Sequence, residues 1–459
     1  MLIAYKAFVY FILWQFVLSV ASAHGQDFVA ERIIIPMEIS YGTSHAGSLI
    51  AADVDNNGMR DLVVTAPGYI GAYATNGDLL WSRRVDIGVG EHSEIHGLPG
   101  LHAPGVQAGD IDGDGRTEVV FLDRDGRVRV LRGDSGLELW ACKLPAPPGA
   151  GNWEHLVIAD FRGKGDRDLF LQTTNTQGYR LGRYVAAFTV DSLRAGKTDP
   201  LWQRDDFRPC AHAGARLADL DGDGRDEVLG ATILGPDGEI LVEIPVQHHL
   251  DGLTVGDVRP DLPGLEVVMQ EEGPLNRVFL VGLKGLIWKT AHKDRLEPQN
   301  CTVGHFIPER LDMQIWCRSR QHIDQTPFIF DGYGKLIGEY EMKKMAPTDW
   351  KKTGVEEISS IHWTGENLQY AVAKERHAVD DAAIFDPLSG RFLLRLHDAA
   401  SRIYVADVIG DWREEIIIAS RNRLHIYYNP EKNPRPEAPR LWTEQYYRRT
   451  KMTWNYYNP

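Results

Sequence analysis

The chain has 459 residues and a formal net charge of −14, from 64 acidic and 50 basic side chains. That balance argues against nucleic acid as a partner, since a phosphate backbone is held by surplus Lys and Arg. It leaves an acidic ligand open, because much of the negative charge falls in repeated Asp-rich loops where a metal would neutralise it.

Residues 1–23 read as an export leader. Lys6 supplies a positive start, Ala7 to Val20 an apolar run, and Ala21-Ser22-Ala23 a small-x-small cleavage site. The run is too short for a stable membrane span, and no later stretch could cross a bilayer. Residues 24–459 are therefore expected to act as one exported domain, secreted or periplasmic, monomeric and without membrane contact once the leader is gone.

Residues 28–36 (FVAERIIIP) read as a strand. A short phrase then recurs: strand, Asp-x-Asp-x-Asp-Gly-x-x-Glu, strand. The clearest copies are AGDIDGDGRTEVVF from Ala108 and LADLDGDGRDEVLG from Leu217, with AADVDNNGMRDLVV from Ala51 a substituted third. Weaker echoes contain Asp160, Asp257, His305, His362 and Asp407, and the eight copies are 38 to 59 residues apart. One unit, from Val106 to Leu144, divides into four short strands separated by Gly- and Asp-rich turns. Four antiparallel strands make one propeller blade. The predicted fold class is all-β, an eight-bladed β-propeller with Ca2+ loops, seven blades being the alternative. Residues 28–36 could complete the last blade beside Leu424 to Tyr428.

The Asp-rich loop lies between the first and second strands of a blade. Alternate oxygen ligands, a glycine at the bend and a closing carboxylate follow the logic of a Ca2+ loop. The candidate ligands are Asp110, Asp112, Asp114 and Glu118; Asp219, Asp221, Asp223 and Glu227; and Asp53, Asp55, Asn57 and Asp61. Asp407, Asp411 and Glu415 form a degraded copy. Metal-free Asp-Gly turns are the bland alternative. Cys301 and Cys317 flank the sixth echo, so a hairpin there would set them face to face. Cys142 and Cys210 have no evident reason to meet.

In a propeller the first-to-second loops share one face, and the blade connections and second-to-third loops share the other. His45, His102, His155, His212 and His249 all fall just before a first strand, near the funnel of that second face. The second-to-third loops there add Arg180 and Arg183; Arg318, Arg320 and His322; Lys374, Arg376 and His377; and Arg421 and Arg423. Lys343, Lys344, Lys351 and Lys352 surround Trp350, whose ring could stack on a sugar. Such a face would favour an anionic ligand, although solvated loop charges are the simpler reading.

HHLDGLTVGDVRPDLPGLEVVMQEEG (His248 to Gly273) resembles the His-x-Asp, Pro-Gly-x-Glu-Val blade of family 11 rhamnogalacturonan lyases. ADVIGDWREEIIIASRNRLHIYYNP (Ala406 to Pro430) resembles that family's Gly-Asp-Trp-Arg-Glu-Glu segment, and RLWTEQYYRRTKMTWNYYNP its final aromatic segment. The resemblance implies an eight-bladed, Ca2+-dependent propeller that cleaves an acidic, uronate- and rhamnose-containing polysaccharide by β-elimination. The chain leaves no room for the extra N-terminal β-sandwich of the family's long members, and its His305 blade lacks the expected carboxylates.

Elimination needs the C6 carboxylate neutralised, a base at C5 and a proton for the oxygen leaving C4. His249 lies in the matched motif and is the first candidate base, followed by His212, His102 and Lys374. Arg320, His322, Arg376, Arg421, Trp350 and Asp251 are the candidate substrate contacts, with Asp251 placed either to orient His249 or to hold a metal beside it. Two other classes remain open: a non-catalytic FG-GAP-type propeller binding glycan or protein, and a glycoside hydrolase acting on rhamnosyl-glucuronate.

Overall fold

The computed structural model describes residues 28–40, 48–87, 105–174, 181–211, 214–320, 325–350, 354–376 and 378–455. Thirty-two strands, numbered β1 to β32 in chain order, form eight antiparallel sheets of four. Seven sheets take four consecutive strands each. These begin at β2 (Ser48–Ala52), β6 (Val106–Gly109), β10 (Trp153–Ala159), β14 (Arg216–Ala218), β18 (Leu250–Gly256), β22 (Cys301–Gly304) and β26 (Val355–Ile361). The eighth places β30 (Arg402–Ala406), β31 (Glu415–Ser420) and β32 (Arg423–Tyr428) beside β1 (Glu31–Pro36). Glu31 stands opposite Tyr428 and Pro36 opposite Arg423, so strands from both ends of the propeller share one blade, in which β1 covers β32 and forms the outer strand. Eight blades form, closed as the sequence of residues 28–36 suggests.

Burial explains the strand composition. The second strand of a blade is covered on both sides by neighbouring blades, and β31 (EIIIAS) is buried along its whole length. A strand so placed reads as one apolar run rather than an alternation. Adjacent blades are also clamped by a device the repeat pattern does not announce. Trp81, Trp202 and Trp288, each on a fourth strand, donate their indole N–H to the carbonyls of Gly133, Pro236 and Gly332 in the next blade, at 2.5, 2.8 and 2.9 Å. Their rings press on Gly136, Gly238 and Gly334, where an added Cβ would come within 2.4, 2.7 and 3.0 Å of a ring atom. Those turns also hold φ near +62°, +82° and +81°, so glycine is required twice over.

Cys301 and Cys317 do stand directly opposite each other, and both are buried and outside any disulfide, as are Cys142 and Cys210. Among the described residues three short α-helices interrupt the strands: α1 (Val190–Arg194), α2 (Met342–Met345) and α3 (Gln445–Met452). Only α3 changes the architecture. It lies against the inner strands β2, β6, β14 and β18 and fills the central channel. Its last carbonyls, which a helix leaves without internal partners, accept from channel side chains. Gln107 Nε2 reaches Met452 O at 2.6 Å, Tyr404 Oη reaches Lys451 O at 3.1 Å and Arg216 Nη1 reaches Thr450 O at 3.4 Å. No helix among the described residues is long and apolar enough to cross a membrane.

Candidate active site and metal loops

Three first-to-second loops gather acidic side chains as expected. Asp53, Asp55 and Asp61 form one group, Asp110, Asp112 and Glu118 another, and Asp219, Asp221 and Glu227 a third. In each, one oxygen per residue lies within 4.8 Å of the others. The first Asp organises the loop through backbone N–H groups. Asp110 Oδ1 accepts from Gly113 at 2.7 Å and its Oδ2 from Gly115 at 3.0 Å, and Asp219 repeats both bonds with Gly222 and Gly224 at 2.7 and 2.9 Å. The closing carboxylate is buried and accepts a backbone N–H: Val54 to Asp61 at 3.0 Å, Ile111 to Glu118 at 3.1 Å, Leu220 to Glu227 at 2.8 Å. Burial first, and the neighbouring aspartates second, push Asp61 and Glu118 up to about 7 and Glu227 up to about 8. Among the described residues these carboxyls form no ion pair with a cationic side chain. Asn57, Asp114 and Asp223 each accept, through Oδ1, the N–H two residues ahead at 2.7 to 2.8 Å.

The degraded loops place other groups where the acidic loops gather carboxylates. In the third blade Arg162 Nε sits 2.8 Å from the closing Asp168. In the sixth, neutral Gln314 accepts the N–H groups of Phe306 and Ile307. In the eighth, Asp407 is paired with Arg440 and Asp411 with Arg413.

On the opposite face, around blades five and six, the structure assembles a mixed cluster. His249 Nε2 is 2.8 Å from Glu272 Oε2 and 3.2 Å from Asp251 Oδ1. Asp251 is buried at the start of β18 and accepts from Gln299 Nε2 at 2.8 Å. Arg320 Nη1 closes the group, 2.6 Å from Glu272 and 3.2 Å from Glu297. His249, Asp251 and Glu272 each offer an atom within 4.8 Å of the other two, so this face also has a cation-holding geometry. Glu272, in the fifth blade's second-to-third loop, is a central member, paired with both His249 and Arg320.

Next to it lies a layer of buried polar groups that motif reading passes over. Asn300, Arg318 and Ser319 are buried, and Arg318 Nε, Ser319 Oγ and both amide atoms of Asn300 have no hydrogen-bond partner among the described residues. Arg318 Nη1 reaches Val355 O at 3.3 Å, and Arg402 pairs with Glu357 at 3.2 Å. Gln299, Ser319 and Glu357 hold φ of +58°, +61° and +51°. Left-handed non-glycine backbone and unsatisfied buried polar atoms cluster where a surface is built for a ligand.

Other candidates fall elsewhere. Lys374 is fully buried, bonded to Glu356 at 2.7 Å and to the carbonyls of Glu375 and Ala378, which uses all three ammonium donors. Such a group braces the fold, and the expectation of a catalytic Lys374 is corrected. Trp350 is buried against Phe392 and donates to Gly354 O, so no ring face is open for a sugar. His155 is buried beneath Gly214 and bonded to Ala215 O at 2.8 Å. Burial lowers its pKa to about 4, which keeps it neutral. Arg376 is half-buried at the end of the seventh blade's second strand. Arg421 is exposed on the β31–β32 turn, in a separate cavity. His45, His102, His212, His322 and His377, with Arg180, Lys351 and Lys352, lie outside the described residues.

The model of rhamnogalacturonan lyase family 11, C-terminal domain, matches residues 178–458, which is more than half of the chain. The chain belongs to this family. FG-GAP-like repeats match residues 53–121 and 110–171, which hold the first two of the three acidic loops. The lyase is 24% identical to rhamnogalacturonan endolyase YesW of Bacillus subtilis, over 84% of this chain and 67% of that one. It is equally identical to the exolyase YesX of the same organism, over 84% and 71%. Among solved structures it resembles exotype YesX with a TM-score of 0.67 at 19% identity, covering 93% of this chain and 80% of that one. Against a Bacillus licheniformis rhamnogalacturonan lyase the TM-score is 0.62 at 18% identity, covering 95% and 86%. The family assignment makes this chain a polysaccharide lyase, and the structural likeness independently places it on the eight-bladed fold.

Proposed function

We propose that this lyase cleaves an acidic pectic backbone of rhamnose and uronate by β-elimination, at the funnel face around His249, Asp251, Glu272 and Arg320. The observation that carries the reading is the His249–Asp251–Glu272 cluster: a cation-holding set inside the family-matched region, on the face away from the Asp loops, beside left-handed backbone and unsatisfied buried side-chain atoms. Imidazole and carboxylate donors suit a divalent cation, and we assign Ca2+ to this group and to the three acidic loops. A cation here supplies positive charge to neutralise the uronate carboxylate. Arg320 and Arg318 add guanidinium donors of the planar kind that hold a carboxylate in one orientation. His249 positions this charge through Nε2, which lies between two carboxylates, rather than by taking the C5 proton with that nitrogen. Action on a polymer fits the leader-like segment 1–23 and an enzyme that works outside the cytoplasm. The test is incubation with rhamnogalacturonan, following ultraviolet absorbance of the unsaturated uronate that elimination creates and hydrolysis does not. Cleavage without a new ultraviolet band would favour a hydrolase.

The acidic loops have a different role, since they lie on the far face. Ca2+ held there stabilises the native state by RT ln(1 + [L]/Kd), about 2.7 kcal/mol at a hundredfold excess over Kd. Chelation is expected to lower the melting temperature, and Asp112→Ala combined with Asp221→Ala to mimic it. The pH dependence has a definite sign. Asp61, Glu118 and Glu227 carry folded-state values of about 7, 7 and 8 without metal. Raised values mean that the folded state binds protons more tightly than the unfolded chain, whose carboxyls titrate near ~4. Their contribution is full below that value and is lost as pH rises through about 7 to 8. Chelated protein should therefore lose melting temperature across that rise, and Ca2+ should flatten the slope. An identical melting curve with and without chelator at every pH would count against metal in these loops.

A further inference from the structure

The seam between blades seven and eight carries a groove that the funnel site does not use. The fourth strand of blade seven, β29 (Phe392–Ala400), faces β1 and β32 across two adjoining cavities of about 240 and 390 Å³, which share His397 and Asp398. The larger falls in the size range of small-ligand sites, ~300–1,000 Å³. Asp398 is the one carboxylate lining either cavity, and its charge is already taken. Arg32 Nη1 pairs with it at 2.5 Å, the Tyr427 hydroxyl donates to it, and His425 Nδ1 lies at 3.4 Å. Arg421 and Arg423, both exposed on the same turn, have no ion pair among the described residues. The larger cavity therefore carries surplus positive charge on a chain whose net charge is −14. Buried His425 forms part of its wall. Its opposite walls turn at Ala399 and Arg421, both left-handed at φ +49° and +51°. Backbone held in that region at two facing non-glycine positions is a cost usually retained where a surface is shaped for use.

We infer that this seam is a second carbohydrate site, which takes a carboxylate-bearing sugar of a polyuronate chain away from the point of cleavage. The inference rests on the lyase reading only for the identity of the ligand; the geometry stands by itself. Arg421 and Arg423 grip the carboxylate through charge-assisted hydrogen bonds, and Asn422 between them offers amide contacts to sugar hydroxyls.

The test is direct binding to the intact protein, with no turnover required. The probes are an oligogalacturonide with free carboxylates and its fully methyl-esterified counterpart. Affinity is read by calorimetry, and the site of binding by hydrogen-exchange protection of Ser420 to His425. The variant is Arg421→Asn with Arg423→Gln, since Asn tolerates the left-handed backbone at 421. The free-acid probe should protect this turn in the wild type, bind roughly tenfold more weakly to the variant, and lose affinity with added salt. The ester should give no protection. Unchanged affinity in the variant, or equal protection by the ester, would overturn the inference. A protein that binds through this turn but releases no unsaturated product would instead count against the elimination reading alone.

Discussion

Replacing His249 with alanine is expected to lower kcat by ~10²–10³ and to leave the melting temperature nearly unchanged. The ring lies at the rim with 29% of its side chain exposed, so little packing is lost. What is lost is the third donor of the group it forms with Asp251 and Glu272, at 3.2 and 2.8 Å. Without it the two carboxylates face each other beside a substrate that is itself anionic. Charge that should stabilise the developing carbanion is then weakened, and repulsion in the ground state rises. Asp251→Asn should reproduce the loss, because it removes a ligand while the amide can still fill the space beside Gln299. Excess Ca2+ should recover part of the His249→Ala turnover, a result that a proton-transfer role for this imidazole would not give. Wild-type turnover in His249→Ala would remove the cluster from the mechanism and bring His212 and His102 forward.

The blades were legible in the sequence because their signal is local. A strand, an Asp-Gly turn and another strand repeat within each unit, and the end-to-end pairing of β1 with β32 follows from one unpartnered apolar strand at residues 28–36. The acidic loops were legible for the same reason, although the side chains of Asn57, Asp114 and Asp223 turn back to cap their own backbone. The funnel was only half legible. His249 and Asp251 stand two residues apart, but Glu272 and Gln299 reach them from other segments, so their pairing is a fact of the fold. The basic loops misled in a physical way. Lys374 and Arg320 look like free cations in sequence, yet each meets a carboxylate that the list of basic residues does not show. Trp350, flanked by lysines, looks like a surface ring and is instead buried with Phe392. Helix α3 left almost no signal, since its sequence QYYRRTKM is basic and aromatic without an apolar stripe. Its partners are supplied by the channel it fills.

That dependence makes Arg449→Met the most destabilising substitution expected in the chain. The guanidinium is buried in the channel. Its Nη2 lies 2.7 Å from Asp226 Oδ2 and 2.7 Å from Asp166 Oδ1, and its Nε adds 3.2 and 3.3 Å contacts to Asp226. Asp226 is itself fully buried and locked to the third blade: Asp160 N donates to its carboxylate at 2.6 Å, and its own N–H donates to Asp160 O at 2.8 Å. One arginine thus joins the C-terminal helix to the loops of blades three and four. Removing it strands a carboxylate in a site that water does not reach. Breaking a buried pair in this way costs about 3–5 kcal/mol, far more than the pair contributes when both partners are replaced together. Arg449→Met should therefore melt well below the wild type, while Arg449→Met with Asp226→Leu should recover part of the difference. Arg449→Lys should fall between, since an ammonium cannot hold two carboxylates with the planar fork of a guanidinium. The neighbouring Lys451 sharpens the comparison. It pairs with buried Glu414 at 3.1 Å and lies over the rings of Tyr447 and Trp454 at 4.9 and 4.7 Å, so the helix keeps a second tether when the first is cut. Limited proteolysis should then find the C-terminal segment released in Arg449→Met before the blades open. If Arg449→Met melts with the wild type, the helix is not what holds the channel closed.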